Sequence, residues 1–330
     1  MTRVLVTGSS GFIGSAVCEA LAERGIDVVG YDLKPSRFTS ARWTKQIRFI
    51  SGDMRDLGAL EAVLADCGVT HIIHAAALTP DEQRERNYPD LIAEVNLLGS
   101  ARLAMAVAKV RPQSRILHLS SIAVYGEAEP GRDGRFHEDG SIPQPGALYG
   151  VTKFAAEMTL RRLAALHGLD LVIARLGPVF GPWEHASGAR DILSPHHQIA
   201  VAARCGAPCV LPRNVSADWF YSRDAAQKIV SLLMASDPPH RLFNLGGGQM
   251  STLVDWCEAL RMQIPAFTWQ LDPQSPTIRY GYPTDRPPLA TTRLDAVVAP
   301  NGTRLTDAAR DYISWLDQFE PQSQSMEVTK

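Results

Sequence analysis

Residues 6–15 read VTGSSGFIGS, a glycine-rich turn between a short β-branched run and a helical pattern. The preceding letters RVLVT predict a strand, and the letters that follow predict a helix over residues 11–24. Glycine leaves room for a tight turn, for a phosphate against the backbone amides and for close packing of helix on strand. The turn therefore predicts a unit that binds a dinucleotide around Gly8, Gly11 and Gly14.

The same alternation continues along the first half of the chain. Short apolar runs such as DVVGYDL, IRFISGD, HIIHAAA, RILHLSS and LDLVIARLG alternate with longer helical patterns, including 88–110 and 147–167. This order predicts parallel strands joined by crossover helices, and strands that are apolar throughout predict a sheet covered on both faces. We therefore expect an α/β fold: a Rossmann-type, doubly wound parallel sheet with a smaller carboxy-terminal substrate-binding lobe.

A carboxylate, Asp32, ends the second predicted strand. In this position it can accept both hydroxyls of an adenosine ribose, and its charge repels the extra phosphate of NADP. We therefore expect NAD as cofactor, while Lys34 and Arg37 nearby keep some use of NADP open. Asp53 and Met54, which end the third strand, are expected to contact the adenine, with an ordinary Asx turn as the alternative.

The alternation weakens after about residue 180, where proline and glycine become frequent. We expect an NAD-binding domain over residues 1–182, a mainly substrate-binding lobe over 183–320 and a flexible tail over 321–330. Late elements, the run RLFNLGG and the helix opening at STLVDWCEAL, leave open a return of about 241–262 to the first domain. The letters TLVD at the start of that helix predict a capping pair.

Composition excludes several classes of protein. The chain has 330 residues, 45% of them hydrophobic and 21% charged, which suffices for a large globular core. A net charge of −2 offers no attraction for nucleic acid or an anionic membrane. Five scattered cysteines suggest neither disulfides nor a zinc site and fit a reducing compartment. With no signal peptide and no run of about 20 apolar residues in view, we expect a cytoplasmic protein.

The letters ALYGVTKFAAE at 147–157 place Tyr149 and Lys153 four residues apart on a predicted helix. Side chains at this spacing rise from one face, one turn apart. Taken alone, the pair is a half-buried tyrosine covered by a lysine stem as readily as a reactive site. A phenol is almost fully protonated at neutral pH, so a role as proton acceptor needs a nearby cation that lowers its pKa.

Five ordered motifs favour the reactive site. TGSSGFIG, HAAA, SSIAVYG, YGVTK and RLGPVFGP resemble the extended short-chain dehydrogenase/reductases, the NAD-dependent epimerases and dehydratases that act on sugars. The resemblance is strong over about residues 1–182 and looser to about 315. It implies that Tyr149 is the general base, that Lys153 holds the nicotinamide ribose and lowers the pKa of the phenol, and that Ser121, rather than Ser120, binds the reacting oxygen.

The resemblance also implies structural roles. Asn96 braces the site, and a homodimer forms through the helices near 88–110 and 147–167. The apolar residues expected at the dimer interface are Leu103, Val107 and Leu160. The residues expected to contact NAD are Gly8, Ser10, Gly11, Phe12, Ile13, Asp32, Asp53, Met54, Ala75, Ala76, Ala77, Tyr149, Lys153 and Pro178.

Two departures from the family pattern bear on the substrate. Dehydratases of this family carry an Asp-Glu pair after the serine, where this chain has Ile122 and Ala123, so dehydration is not expected. Enzymes acting on nucleotide sugars place Asn and Arg ligands for the diphosphate where this chain has Gly177 and Ala217. The other cations available to replace them are Arg190, Arg213, Arg279, Arg286 and Arg293.

The segment after the sixth strand is where this family builds its substrate pocket. A sugar acid needs a single cation there, and Arg190 and Arg279 are the candidates. Its hydroxyl would then lie between Ser121 and Tyr149. These departures favour a small carbohydrate as the substrate.

Aromatic and imidazole side chains of the same segment are weaker candidates. The tryptophans are expected mostly in the core, and for Trp183 and Trp219 stacking on a sugar ring is the alternative. No metal is expected, because adjacent side chains such as His196 and His197 point about 100° apart on a helix. His185 has no partner at metal-binding spacing.

Three functions fit these observations. The first is an NAD-dependent oxidoreductase that transfers a hydride from a hydroxyl of a sugar or sugar acid to the nicotinamide while Tyr149 takes the proton. The alternatives are a nucleotide-sugar (UDP-sugar) 4-epimerase, in which oxidation is transient, and a non-catalytic NAD-binding regulatory protein. An intact set of Ser121, Tyr149 and Lys153 argues against the last, since a regulator needs no activated phenol.

Overall fold

The computed structural model describes residues 2–34, 46–282, 284–300 and 302–319. Arg37 and the expected tail at 321–330 lie outside these residues. The strands are β1 Arg3–Thr7, β2 Asp27–Asp32, β3 Ile47–Ser51, β4 His71–His74, β5 Arg115–Ser121, β6 Leu171–Leu176, β7 Val179–Phe180, β8 Val210–Leu211, β9 Ser216–Ala217, β10 Phe220–Tyr221, β11 Leu242–Leu245, β12 Ser251–Thr252 and β13 Gln270–Leu271.

The α-helices are α1 Phe12–Glu23, α2 Leu57–Cys67, α3 Glu82–Asn87, α4 Pro89–Ala93, α5 Gly99–Val110, α6 Leu148–His167, α7 Pro195–Cys205, α8 Ser222–Met234, α9 Leu253–Arg261, α10 Thr292–Asp295 and α11 Leu305–Phe319. A π-helical segment, Glu94–Leu98, joins α4 to α5, and a short 3₁₀ turn covers Ile122–Val124.

Seven parallel strands form the central sheet, in the order β11-β6-β5-β4-β1-β2-β3. The expected doubly wound sheet is confirmed, and β11, from the second half of the chain, lies at its edge beside β6. α1 and α8 pack on one face, while α2, α5 and α6 cover the other. Both faces are buried, which is why the strand sequences are apolar runs.

The carboxyl end of the sheet differs in composition from its middle. On the face under α6, the middle of the sheet is apolar, with Leu5, Ile72, Ile116 and Ile173 in the core. Two residues further along each of these strands the side chains become polar: Thr7, His74, His118 and Arg175, all buried. Because alternate residues of a strand share a face, this polar row crosses four strands beneath the end of the sheet where parallel α/β folds bind ligands.

The long pattern over 88–110 is three consecutive helical pieces. By length and composition, Pro89–Val110 passes as a membrane-spanning helix, contrary to the expectation from the sequence that no such run exists. In this fold α5 packs between α2 and α6, with Leu103 and Val107 fully buried, as in an ordinary core helix.

This packing corrects the expected dimer contacts. Leu103, Val107 and Leu160 lie inside the protomer core, so they are unavailable to a partner. The exposed large apolar side chains of 88–110 and α6 are Tyr88 and Leu166, near the ends of these stretches, and the two pairs Leu98 and Met105, and Val151 and Met158. Each pair is seven residues apart, which places its members on one helix face.

The second lobe is built from α7, α9 and α11 with the short strand pairs β8–β13 and β9–β12. The helix α9 begins with the expected capping pair, a capping box between Thr252 and Asp255. His196 lies in an aromatic cluster with Phe180, Trp219 and Trp256. Burial lowers the pKa of His196 to about 3, so its imidazole is a neutral member of this buried cluster.

Candidate active site

The glycine-rich turn connects β1 to α1, and its geometry requires glycine at two positions. Gly8 has φ +70°, and a Cβ there would lie 2.7 Å from the backbone of Ala76. A Cβ on Gly14 would lie 1.9 Å from the carbonyl oxygen of Gly8. The turn therefore brings the first turn of α1 directly against the end of β1 and the segment after β4.

This arrangement fits a dinucleotide. The amides at the start of α1 have no intrahelical acceptor, the first turn carries no acidic side chain, and Gly11 supplies no capping group. They face a cavity together with the positive end of the helix dipole, which favours a pyrophosphate. Asp32 accepts the Ser10 amide (3.0 Å) and the Lys34 amide (3.2 Å), so its carboxylate is held beside the turn.

A single cavity of about 1080 Å³ extends from the turn across the carboxyl end of the sheet into the second lobe. All of the expected NAD contacts line it, as do the expected substrate contacts Ser121, Arg190 and Arg279: Gly8, Ser10, Gly11, Phe12, Ile13, Asp32, Asp53, Met54, Ala75, Ala76, Ala77, Ser121, Tyr149, Lys153, Pro178, Arg190 and Arg279. Pockets for one small ligand usually measure about 300–1,000 Å³, so this cavity has room for a cofactor and a second molecule.

Asp53 combines the two interpretations given to it. Its carboxylate accepts the Arg55 amide two residues on (2.8 Å), which is an Asx turn, and pairs with the Arg55 guanidinium (2.7 Å). These hydrogen bonds hold the pKa of Asp53 below its usual value. The carboxylate still lines the cavity, beside Met54.

Tyr149 lies in the first turn of α6 and faces Ser121 at the end of β5. Burial raises the pKa of the phenol, and hydrogen bonds with Ser121 and Thr79 oppose that rise. The largest charge that lowers the pKa of Tyr149 belongs to Arg190, not to Lys153 as the family resemblance implied. Without cofactor, therefore, the phenol stays protonated in this pocket.

Lys153 lies one helical turn beyond Tyr149 and is almost fully buried. Burial lowers the pKa of Lys153 to about 8, and the carboxylate of Glu157 opposes that decrease. Nearby imidazoles add no charge, because burial and the ammonium of Lys153 lower the pKa of His118 and hold that of His74 at about 3. Both imidazoles are therefore neutral, and the positive charge on this face of the site is that of Lys153.

The carboxylate of Glu157 is held by side chains of the sheet strands β5 and β6. Arg175 on β6 donates to both of its carboxylate oxygens, at 3.0 and 2.8 Å, and the Ser120 hydroxyl donates at 2.5 Å. Ser120 therefore supports α6, while Ser121, the next residue, faces Tyr149. Adjacent residues of a strand point to opposite sides, which separates the two serine roles.

Asn96 braces the site as the resemblance implied. Its side chain accepts the Leu78 amide (2.8 Å) and donates to the Leu78 carbonyl (3.0 Å) and to the Thr152 hydroxyl (3.1 Å). It therefore ties the segment after β4 to α6 beside Lys153. Asn96 lies in the π-helical segment Glu94–Leu98, and such segments are frequent at functional sites.

One of the two tryptophans expected near the sugar lies away from the cavity. Trp183 is 1% exposed, donates to Glu19 (3.0 Å) and packs on Trp315, so it is not free to stack on a sugar; Trp219, although buried, does line the cavity. Among the residues that the structure describes, no group of three His, Cys, Asp or Glu is placed to hold a metal.

The sequence analysis missed Thr79. It follows the HAAA motif at the carboxyl end of β4, and its hydroxyl interacts with the Tyr149 phenol. A hydroxyl at the end of a parallel strand was the available signal, because these ends meet at the ligand site. Tyr280 and Tyr282, which line the cavity beside Arg286, were also missed.

Comparisons with known proteins agree with this geometry. Residues 4–246 match the model of the NAD dependent epimerase/dehydratase family. The chain is 31% identical to dTDP-L-rhamnose 4-epimerase of Burkholderia thailandensis, over 77% of this chain and 78% of that protein. It is 30% identical to UDP-glucuronate 4-epimerase 1 of Arabidopsis thaliana, over 74% of this chain but 60% of that longer protein.

Solved structures share the fold. UDP-glucose 4-epimerase of Thermotoga maritima, solved with UDP-glucose, superposes with a TM-score of 0.79 at 21% identity and covers 96% of this chain and 99% of its own. UDP-glucuronic acid 4-epimerase of Bacillus cereus, solved with NAD, gives 0.76 at 20% identity, with 97% of this chain and all of its own covered.

Proposed function

The chain belongs to the NAD-dependent epimerase/dehydratase family, and on that premise we propose that it is a nucleotide-sugar 4-epimerase. The observation that carries this proposal is the far end of the cavity. Beyond Tyr149 it is lined by residues 279–282 and by Arg286 and Pro287, which contribute two arginines and two tyrosines. A small sugar needs none of these groups, whereas a nucleoside diphosphate needs cations for its phosphates and a surface for its base.

The candidate arginines of the second lobe form two groups, those that pair with an acidic side chain and those that do not. Arg213 pairs with Asp285, and Arg293 pairs with Asp139, so both charges are neutralised. Arg279 and Arg286, in the part of the chain that the structure describes, have no acidic partner within ion-pair distance. The Arg286 guanidinium lies 4.7 Å over the ring of Tyr282, an arrangement that keeps it extended. We assign the diphosphate to these two arginines.

The two departures from the nucleotide-sugar pattern are compatible with this assignment. Gly177 and Ala217 both line the cavity and offer no side-chain hydrogen bond. A Cβ on Gly177 would meet its nearest neighbour at 3.5 Å, an ordinary contact, so the backbone there does not itself require glycine. In this proposal the guanidinium groups of Arg279 and Arg286 replace the missing ligands.

The chemistry follows from the residues around Tyr149. NAD held by the glycine-rich turn, Asp32 and Lys153 would supply a hydride acceptor for oxidation of the sugar and a hydride donor for its reduction on the opposite face of the ring. Ser121 and Thr79 orient the reacting hydroxyl toward Tyr149, whose phenol takes its proton and later gives it back. The positive charge of Arg190 lowers the pKa of the phenol, and the ammonium of Lys153 would bind the nicotinamide ribose. With Ile122 and Ala123 after Ser121, no acid-base pair for dehydration is present at those positions.

A second candidate is the NAD-dependent oxidoreductase for a small sugar or sugar acid. The specific observation in its favour is the uncharged pair Gly177 and Ala217, since one arginine suffices for a sugar carboxylate. Both functions share the first half-reaction and the residues Ser121, Tyr149 and Lys153. They differ in whether reduced cofactor leaves the protein.

The experiment compares both substrate classes. The protein is incubated with NAD and UDP-glucuronate, UDP-glucose, dTDP-L-rhamnose or free sugars and sugar acids, and products are identified by NMR. We expect 4-epimers of one nucleotide sugar with no accumulation of NADH. NADH formed from a free sugar, with no epimer from any nucleotide sugar, would favour the oxidoreductase instead.

A pair of variants sharpens this test. Replacing Arg286 with Met removes a proposed diphosphate cation and should weaken nucleoside diphosphate binding by about tenfold or more. Gly177→Asn adds a hydrogen-bonding side chain at a position whose backbone does not itself require glycine, and binding should be retained or improved. Unchanged UDP binding by Arg286→Met in calorimetry would contradict the assignment of the diphosphate.

A further inference from the structure

We propose that residues 184–192 form a strap across the cofactor cleft that retains NAD, and that Arg190 on this strap binds the pyrophosphate. The sequence analysis placed Arg190 in the substrate site, so this is a different assignment. It deepens the proposed function, because an epimerase uses the same NAD molecule in both half-reactions.

The first support comes from the order of the strands. The glycine-rich turn follows β1, and in the sheet β1 lies between β4 and β2. A segment that is bonded to the chain after β2 and also to the chain after β4 must therefore pass over the end of β1. That end is where the pyrophosphate binds in this kind of fold.

On the β2 side, the ammonium of Lys34 donates to the carbonyl of Ser187. Lys34 stands two residues after Asp32, which is the residue expected at the adenosine ribose. The strap is thus attached at the adenosine end of the cleft.

On the β4 side the attachments are more numerous. The Thr79 amide donates to the Ala189 carbonyl (2.7 Å), and the Asp191 amide donates back to the Thr79 carbonyl (3.2 Å). Arg84 of α3 donates to the Gly188 carbonyl (2.8 Å) and pairs with Asp191 (2.9 Å). The strap is therefore attached at the end of the cleft where Tyr149 lies.

The base of the strap is rigid. Glu184 is fully buried, and its two oxygens accept the amide (2.6 Å) and the hydroxyl (2.5 Å) of Ser194. Arg190 returns to this carboxylate at 3.3 Å and donates to the Ile192 carbonyl at 2.8 Å. These contacts fix the direction of its guanidinium.

The position of Arg190 points to the cofactor. Its guanidinium carbon lies 6.0 Å from the ring centre of Phe12, a residue of the glycine-rich turn. Its charge also reaches Tyr149, where it lowers the pKa of the phenol. A guanidinium between the turn and the phenol would lie beside the pyrophosphate, and because Nε and Nη1 of Arg190 are held by Ile192 and Glu184, its Nη2 is the nitrogen left to donate to a phosphate oxygen.

The test measures release of the cofactor without any sugar. NADH is bound to the purified protein, displaced by excess NAD, and its fluorescence is followed by stopped flow. Arg190→Met and Arg84→Met should each raise the dissociation rate at least about tenfold, the loss of one charge-assisted hydrogen bond. Arg190→Lys should recover part of the loss as a point charge.

A matched control comes from α3 itself. Arg86 pairs with Glu82 on the exposed side of that helix and contacts no strap residue in the described part of the chain. Arg86→Met should leave the NADH dissociation rate unchanged. Far-UV circular dichroism and a urea titration of each variant exclude unfolding as the cause of faster release.

The outcomes are decisive and separate from the epimerase assay. If folded Arg190→Met releases NADH at the wild-type rate, the assignment of Arg190 to the cofactor is wrong. The same holds if this variant binds only nucleotide sugars more weakly. Unchanged release from Arg84→Met would overturn the strap. Failure to find an epimerase activity leaves these rates unaffected, because no sugar enters the measurement.

Discussion

Arg175 on β6 and Glu157 on α6 form a two-point ion pair, Nε to Oε1 at 3.0 Å and Nη2 to Oε2 at 2.8 Å, one helical turn beyond Lys153. Both side chains are almost fully buried, at 3% and 2% exposure. The pair joins the central sheet to the helix that carries Tyr149 and Lys153. It therefore connects the stability of the fold to the geometry of the site.

Removing one charge of this pair should be costly. Glu157→Gln leaves the guanidinium of Arg175 buried without its partner, so the free energy of unfolding should fall by about 3–5 kcal/mol. A urea titration measures the change. Glu82→Gln breaks an exposed pair with Arg86 and should cost less than about 1 kcal/mol. Equal effects of the two substitutions would contradict a special role for the buried pair.

Tyr149→Phe tests the proton acceptor. The ring keeps its packing and only the hydroxyl is lost, so turnover should fall roughly 10²–10⁴-fold with little change in NAD affinity. Turnover is measured with the substrate identified above and NAD affinity by calorimetry. Tyr125→Phe is the control, because that hydroxyl donates to Asn244 outside the cavity lining. Half of the wild-type turnover in Tyr149→Phe would remove Tyr149 from the mechanism.

The buried ammonium predicts a pH dependence. The pKa of Lys153 is lowered by burial to about 8, so the group loses its proton as pH rises through that value. Its contact with the nicotinamide ribose then weakens, and NAD affinity measured by calorimetry should decrease on the alkaline side of about pH 8. In Lys153→Met the affinity should be lower and independent of pH over the same range. A wild-type affinity that stays constant well above that pH would contradict the prediction.

Cofactor choice rests on the charge of Asp32. Asp32→Asn keeps an acceptor for the amides of Ser10 or Lys34 but removes the repulsion of a 2′-phosphate. The ratio of NAD to NADP affinity should therefore decrease, by about tenfold or more for the loss of one close charge repulsion. Calorimetric titration with both dinucleotides measures it. If the wild-type protein already binds both equally, Asp32 does not select the cofactor.

The exposed face of α5 and α6 predicts self-association. We expect a homodimer that buries Met105 and Met158, which are 41% and 51% exposed in the single chain. The double variant Met105→Glu/Met158→Glu should sediment near the 36.0 kDa of one chain. Met262→Glu, at an exposed methionine of the second lobe, should leave the dimer intact. A wild-type mass of one chain at micromolar concentration would rule out the dimer.

The sequence by itself determined the sheet, the glycine-rich turn and the pair of Tyr149 and Lys153. These features depend on residues that are near each other in the chain: apolar periodicity, glycine where a Cβ does not fit, and spacing along a single helix. Asp32 at the end of β2 was also predicted from the sequence. In this fold the strand that follows the glycine-rich turn ends beside that turn, so a carboxylate there lies next to the cofactor.

Only the tertiary structure decided the contacts between distant parts of the chain. Trp183 looked available for a sugar but is enclosed by α11, and Leu103 looked suited to a dimer but is enclosed by the protomer. Arg190 was predicted as a substrate ligand, and the attachment of its segment to Thr79 and Arg84 is the basis on which we propose it for the cofactor instead. Such contacts depend on which surfaces the packed helices and loops bring together. The residues next to a position in the sequence do not identify a contact partner that is about a hundred residues away in the chain.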